Sequence, residues 1–305
     1  IAYITAARAI GNLVRHSGNI STAIYPKMLA GGKHEHLQEN LIRTLYFAFP
    51  TIAFSIVFAR AGVFALNPEY EIAASIVIFL SFRTFFATLN RIFRSAIQGV
   101  DKVDVVENAG FKNYIKSSLI VVPTIRTIQY ASYVILLISG LYFLVENQSS
   151  QFELVNYWAI ITVCVEIPFV IYFVILVRRK FVLNLNFKII FKYGISSFVS
   201  FGITHLLMER YLIYDISIFN FLPNLMLFVT FGIIFYLGFT YLIDKKTRQL
   251  FKMIIKEIRN KWDMKKMNVI ENNEVLKMLK DHGNKVKKLD NEILGMHRKI
   301  VNYRI

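Results

Sequence analysis

The chain has 305 residues, 55% of them hydrophobic, with a mean hydropathy of +0.46 and a formal net charge of +16. Its one cysteine, Cys164, excludes an intramolecular disulfide and a cysteine metal cluster. Residues 244–305 hold 17 of the 36 Lys and Arg but only 8 of the 20 Asp and Glu. An apolar body, 1–243, and a basic tail, 244–305, are expected.

Six runs of mostly apolar residues, roughly 43–66, 71–97, 117–145, 153–177, 189–213 and 219–243, are each long enough to cross a bilayer. Residues 2–25 offer a seventh, interrupted by Arg8, Arg15 and His16. The predicted fold is an all-α polytopic membrane helix bundle of about seven transmembrane helices with a basic helical tail.

In the first segment, Arg8, Asn12, Arg15, Asn19 and Thr22 recur every three or four residues and form one helical stripe. In a spanning helix such a stripe must face a hydrated interior or other helices. The alternative is an amphipathic helix lying on the membrane surface. In the third apolar run no charged side chain separates Glu71 from Arg83. A cation that deep costs about 3 kcal/mol on insertion scales, so Arg83 reads as a site for something negative. Asn90, Arg94 and Gln98 share its helical face.

Arg60 is expected to snorkel at the end of its run. Arg126 has Gln129, Tyr130 and Tyr133 near its face, and either snorkels or holds a ligand. Glu166 lies two residues before Pro168, whose ring leaves a backbone carbonyl without its helical donor. Glu166 could take a proton or a cation, stay neutral and hydrogen-bonded, or pair with Arg83 or Arg126. His205, Glu209 and Arg210 read as a local interface cluster, and Ser196, Ser197 and Ser200 as small residues for close helix packing.

The connections alternate in charge. Segments 26–43, 98–116 and 178–188 are basic, whereas 67–70, 146–153 and 214–218 contain no Lys or Arg. The basic loops and the C-terminus are therefore expected in the cytoplasm, in a multi-pass protein of the cell membrane. Seven spans ending inside would begin outside, and the chain opens at Ile1 without Met; it reads as the C-terminal portion of a longer transporter. The tail alternates Leu250, Met253, Ile254, Ile258, Val275, Leu276 and Leu279 with basic residues. Next to a membrane, anionic lipid is the expected partner and nucleic acid is not.

No phosphate-binding loop, dinucleotide fingerprint, HExxH or CxxC occurs. His34-Glu35-His36 is too short a cluster for a metal site, and no nucleophile with a base and an orienting group can be assembled. Neither an enzyme nor a cofactor is expected.

Ser21-Thr22-Ala23-Ile24-Tyr25-Pro26-Lys27 closes a segment containing Ala6-Ala7-Arg8. Glu39-Asn40-Leu41 enters the next run, Phe64 to Ala73 makes a turn through Asn67-Pro68-Glu69, and Gln98-Gly99-Val100-Asp101-Lys102 closes the following run. In this order the motifs resemble the polysaccharide (O-antigen type) flippases of the multidrug/oligosaccharidyl-lipid/polysaccharide superfamily, although the glycine usual before Pro68 is missing. The resemblance covers residues 1–115 best and becomes diffuse through 243. It implies two lobes of helices around a central cavity and alternating-access flipping of an oligosaccharide linked to polyprenyl phosphate or pyrophosphate. Arg83, Arg8 and Arg15 would then attract phosphate and sugar acids. Asn12, Asn19 and Asn90 would bond hydroxyls, Arg126 would join the substrate site, and Glu166 would serve coupling or gating. The alternatives are a cation-coupled multidrug antiporter, which favours a carboxylate-lined cavity, and a membrane-embedded glycosyltransferase or scaffold fragment.

The alternation of loop charge generates a topology test. In a Cys164→Ala background, single cysteines at Ser149 and Thr247 should be labelled by an impermeant thiol reagent from opposite sides of the membrane. Labelling of both from one side would sink the loop assignment.

Overall fold

The computed structural model describes residues 2–22, 24–30, 34–101, 103, 114–115, 117–181, 187–245, 247–249, 251–253, 255–257 and 259–261. The expected second half of the basic tail, with Val275, Leu276 and Leu279, lies outside the described residues, as do Leu250, Ile254 and Ile258. The described elements are all helical. Six helical stretches are long and apolar enough to cross a membrane: Glu35–Val57, Pro68–Val100, Ser118–Glu146, Gln151–Lys180, Phe187–Tyr211 and Ile218–Ile243.

The segment expected as one continuous span, 2–25, is instead divided. It forms α1 (Ala2–Gly11), α2 (Leu13–Ser17), a 3₁₀ turn (Gly18–Ser21) and α3 (Ile24–Leu29). The reason is local competition for carbonyls. The Ser17, Ser21 and Thr22 hydroxyls donate to Val14 O, Gly18 O and Asn19 O at 2.7, 2.6 and 2.9 Å. Such side-chain bonds tighten or interrupt a helix, and the backbone bonds Arg15 N to Asn12 O and Thr22 N to Asn19 O follow three-residue spacing. The backbone stays right-handed helical at Asn12, Ser17, Gly18 and Thr22.

The next elements are α4 (His34–Val57), α5 (Ala59–Leu66), a 3₁₀ turn (Pro68–Ala73) and α6 (Ala74–Val100). They are followed by α7 (Ser118–Glu146), α8 (Gln151–Lys180), α9 (Phe187–Tyr211) and α10 (Ile218–Ile243). The α5–α6 turn is set by Asn67, which accepts from Glu69 N at 3.0 Å, with Pro68 in the first position. A reciprocal capping box of Ser150 and Glu153 starts α8. Gln148, at φ 55°, makes the reversal between α7 and α8, and Trp158 Nε1 then donates to Tyr133 Oη across the hairpin at 2.8 Å.

The chain divides into two compact units, Ile1–Thr240 and Tyr241–Ile305. In the first, α6 is the mast. Toward one end, Ile92, Phe93, Ala96 and Ile97 pack with residues of α3, α4, α7 and α8. Toward the other, Ala73, Ile76, Val77 and Leu80 pack with residues of α1, α5 and α8. Its broadest partner is α8, while α9 packs on α4. On α9, Ser196, Ser197 and Ser200 are buried as expected for close packing. By contrast, α7 leaves Ile135, Ile138, Tyr142 and Phe143 more than 60% exposed, a surface suited to lipid rather than water.

Three close approaches fix the path of the divided segment. A Cβ on Gly11 would lie 3.1 Å from Leu80 Cβ, one on Gly18 would meet Arg91 and Thr88, and one on Gly99 would lie 2.7 Å from Met28 Cβ. The segment therefore runs beside α6, in the same chain direction, from the level of Leu80 to that of Gly99. That is about 28 Å at 1.5 Å per residue.

In the second unit, Asp244 accepts from Thr247 N and Oγ1, both at 3.0 Å, and opens a further helical stretch. Tyr241 meets Phe251 edge to face at 5.9 Å.

Pro50 sits within α4 and cannot donate to the carbonyl of Tyr46, one turn earlier. The Tyr236 hydroxyl of α10 reaches across and donates to Tyr46 O at 2.7 Å, in a buried setting. Tyr236→Phe strands that carbonyl and should cost about 1–3 kcal/mol. Denaturant unfolding in detergent micelles checks this. Thr240→Val should cost less, because Thr240 Oγ1 bonds mainly to its own helix.

Candidate functional site

On α6, Asn90, Arg91 and Arg94 place polar groups within about one helical turn, and Gln98 stands a turn beyond. Asn90 is 2% exposed. Its amide Nδ2 donates to Glu166 Oε2 of α8 at 2.7 Å, a charge-assisted bond. Glu166 is thus engaged by Asn90, not by Arg83. Arg94 donates from Nε to Asn90 O at 3.3 Å. Its guanidinium lies in the fields of Arg126, Glu166, Tyr130 and Arg91. Arg91 lies in turn in the field of Arg15.

Arg91 lies against Gly18, where a Cβ would come within 1.9 Å of its Nη2. A larger residue there would push the guanidinium aside. Arg91 Nε and Nη2 are sealed from solvent and have no hydrogen-bond partner, and the same holds for Asn90 Oδ1. Arg126, exposed, folds back on its own helix: Nε and Nη2 donate to Tyr130 Oη at 2.9 and 2.6 Å, with the guanidinium over the ring at 5.2 Å.

Arg94 thus lies in the fields of Arg91, Arg126 and the Glu166 carboxylate, and Arg91 in that of Arg15. Chemically, the arrangement gathers more cationic than anionic side chains.

The remaining expected residues divide into two groups. Arg8, Asn12, Arg15, Asn19 and Thr22 are all exposed, so the polar stripe survives the helix breaks. Arg8 stacks over Trp158 of α8, with its guanidinium carbon 5.3 Å from the ring centroid. Arg83 is exposed and has no hydrogen bond or ion pair among the described residues. It stands about 16 Å along the axis from Arg94. The segment carrying Arg8 and Arg15 packs directly on α6, which carries Arg83, through Gly11 and Gly18.

At the far end, Arg60 does not simply snorkel. It forms an ion pair with Glu71 and lies 5.3 Å over Tyr214. His205 and Glu209 pair at 3.3 Å, the local cluster expected. An apolar groove between α4 and α9, lined by Phe49, Ile190, Phe191 and Phe198, contains none of the expected site residues. No metal-holding group of His, Cys, Asp or Glu occurs among the described residues.

Arg91 escaped the sequence pattern because it lies about 100° around the helix from Asn90, off the polar stripe.

Asp101 holds the cluster in register. It lies just past α6 and accepts from Ser118 N and Oγ at 2.6 and 2.7 Å, fastening the start of α7. Arg126, two turns further along α7, acts on Arg94 of α6 through its field. No protein-family model matches the chain, and none of the curated proteins or solved structures compared with it is similar.

Burial alone would raise the Asp101 carboxyl, but the bonds from Ser118 and Val103 and the Lys180 charge outweigh it and hold it below the ordinary value. A depressed folded-state value adds stability above the unfolded pKa, near 3.9, and that stability is lost as pH falls through the folded value. Asp101→Asn should flatten stability against pH in the acid range, below about pH 4. Unfolding midpoints in detergent across that range measure it; an unchanged acid slope would exclude the Asp101 clasp.

Proposed function

We propose that the chain belongs to a membrane transporter that flips a lipid-linked oligosaccharide across the cell membrane by alternating access, for cell-surface glycan assembly. One observation carries this reading. The stripe of Arg8, Asn12, Arg15, Asn19 and Thr22 is exposed on a segment that runs beside α6 for about 28 Å of an apolar bundle. Hydrocarbon cannot satisfy such a stripe; water or a polar solute can. Guanidinium groups suit phosphate through forked, charge-assisted bonds, and Asn side chains suit sugar hydroxyls.

The charge balance favours an anion over the cationic drug of an antiporter, because arginines outnumber the single carboxylate Glu166 in the cluster. A scaffold would bury its polar stripes, and the stripe of Arg8, Asn12, Arg15, Asn19 and Thr22 is exposed. In this reading the cell membrane holds the bundle with the C-terminus in the cytoplasm, and the basic tail lies on anionic lipid.

Arg83 supplies the test. It is an exposed cation with no protein partner among the described residues, so removing it leaves packing intact. In proteoliposomes carrying a fluorescent polyprenyl-pyrophosphate oligosaccharide, Arg83→Ala should slow flipping by about 10- to 100-fold, the equivalent of one lost charged hydrogen bond. Arg83→Lys should recover part of the rate, and Arg60→Ala should be mild. Normal flipping by Arg83→Ala removes its role in transport.

A further inference from the structure

We propose that Arg91 and Arg94, flanked by Arg15 and Arg126 and joined by the Asn90 amide, form a binding site for a phosphate-bearing anion that also carries an O–H group. Three observations converge on it. Arg94 lies in the fields of Arg91, Arg126 and Glu166, and Arg91 in that of Arg15. Arg91 Nε and Nη2 are sealed from solvent with no acceptor, though a guanidinium is built to donate. Asn90 is buried, and with its amide nitrogen committed to Glu166 its Oδ1 remains an acceptor without a donor.

Together they define the ligand's chemistry. The arginine donors call for a phosphate, which accepts in forked fashion. The Asn90 oxygen calls for a donor on the same ligand, as in hydrogen phosphate or a hydroxyl-bearing phosphate ester. Sulfate, with no proton to offer at neutral pH, fits only half of the site. The inference rests on the transport reading only in placing this site on the path of the solute.

Equilibrium binding tests it on the full chain in nanodiscs of neutral phospholipid, by calorimetric titration with inorganic phosphate and with sulfate. Phosphate should bind and sulfate should bind more weakly. Arg91→Gln and Arg94→Gln should each weaken phosphate by about tenfold or more, consistent with a lost charged bond. Arg126→Gln, at an exposed side chain whose loss leaves the fold intact, should weaken it less. Arg60→Gln should bind as the parent does.

A second set of discs containing phosphatidic acid identifies the source. A lipid headgroup in the site raises the apparent phosphate dissociation constant; an unchanged constant assigns the site to a free phosphate. Absence of phosphate binding, or binding unchanged in Arg91→Gln and Arg94→Gln, overturns the site. Equal binding of sulfate overturns the O–H requirement and with it the assignment of Asn90. Flipping that survives loss of phosphate binding would leave the transport reading standing without this site. Phosphate binding without any flipping would remove the transport reading alone.

Discussion

Every buried polar group in an apolar bundle needs a partner from the chain itself, and this constraint governs the structure. Where hydrocarbon surrounds a helix, an unmet carbonyl or amide costs several kcal/mol. The Pro50 break in α4 is tolerated because Tyr236 brings a hydroxyl to the stranded Tyr46 carbonyl. Two of the hydroxyls on α9 are satisfied within their own helix, as Ser197 bonds to Tyr193 O and Thr204 to Ser200 O.

The same constraint gives the arginine cluster its meaning. Asn90 and Glu166 satisfy each other across α6 and α8, and Arg126 is satisfied by Tyr130. Arg91 and the Asn90 oxygen are left over, as are Ser200 Oγ and Arg248 Nε. Of these, Arg91 and Asn90 are consecutive residues of one helix, and such unmet groups call for an explanation. The far end of the bundle makes the contrast: Arg60 there is balanced by Glu71 and covered by Tyr214.

The divided first segment shows how a polar stripe and a membrane-length path coexist. Side-chain hydroxyls compete for carbonyls and break the helix into pieces. Gly11 and Gly18, with Gly99 on α6, still press the segment along the central helix. Side-chain exposure on the outer face then falls to Arg8, Asn12, Arg15 and Asn19. Stability and polarity are separated on two faces of one segment.

The sequence by itself determined the helical class, the six long apolar helices and the polar stripes on residues 2–22 and 83–98. These depend on periodicity and run length, which are properties of neighbouring residues. Only the tertiary structure decided that the two stripes lie on packed neighbours and that Glu166 serves Asn90. It alone showed that Arg91, off the stripe, joins Arg94 and Arg15. Those facts depend on which helices touch and at what height, set by close approaches such as Gly18 on Arg91. A contact between residues more than seventy positions apart leaves no period in the chain; it is fixed only when the helices pack.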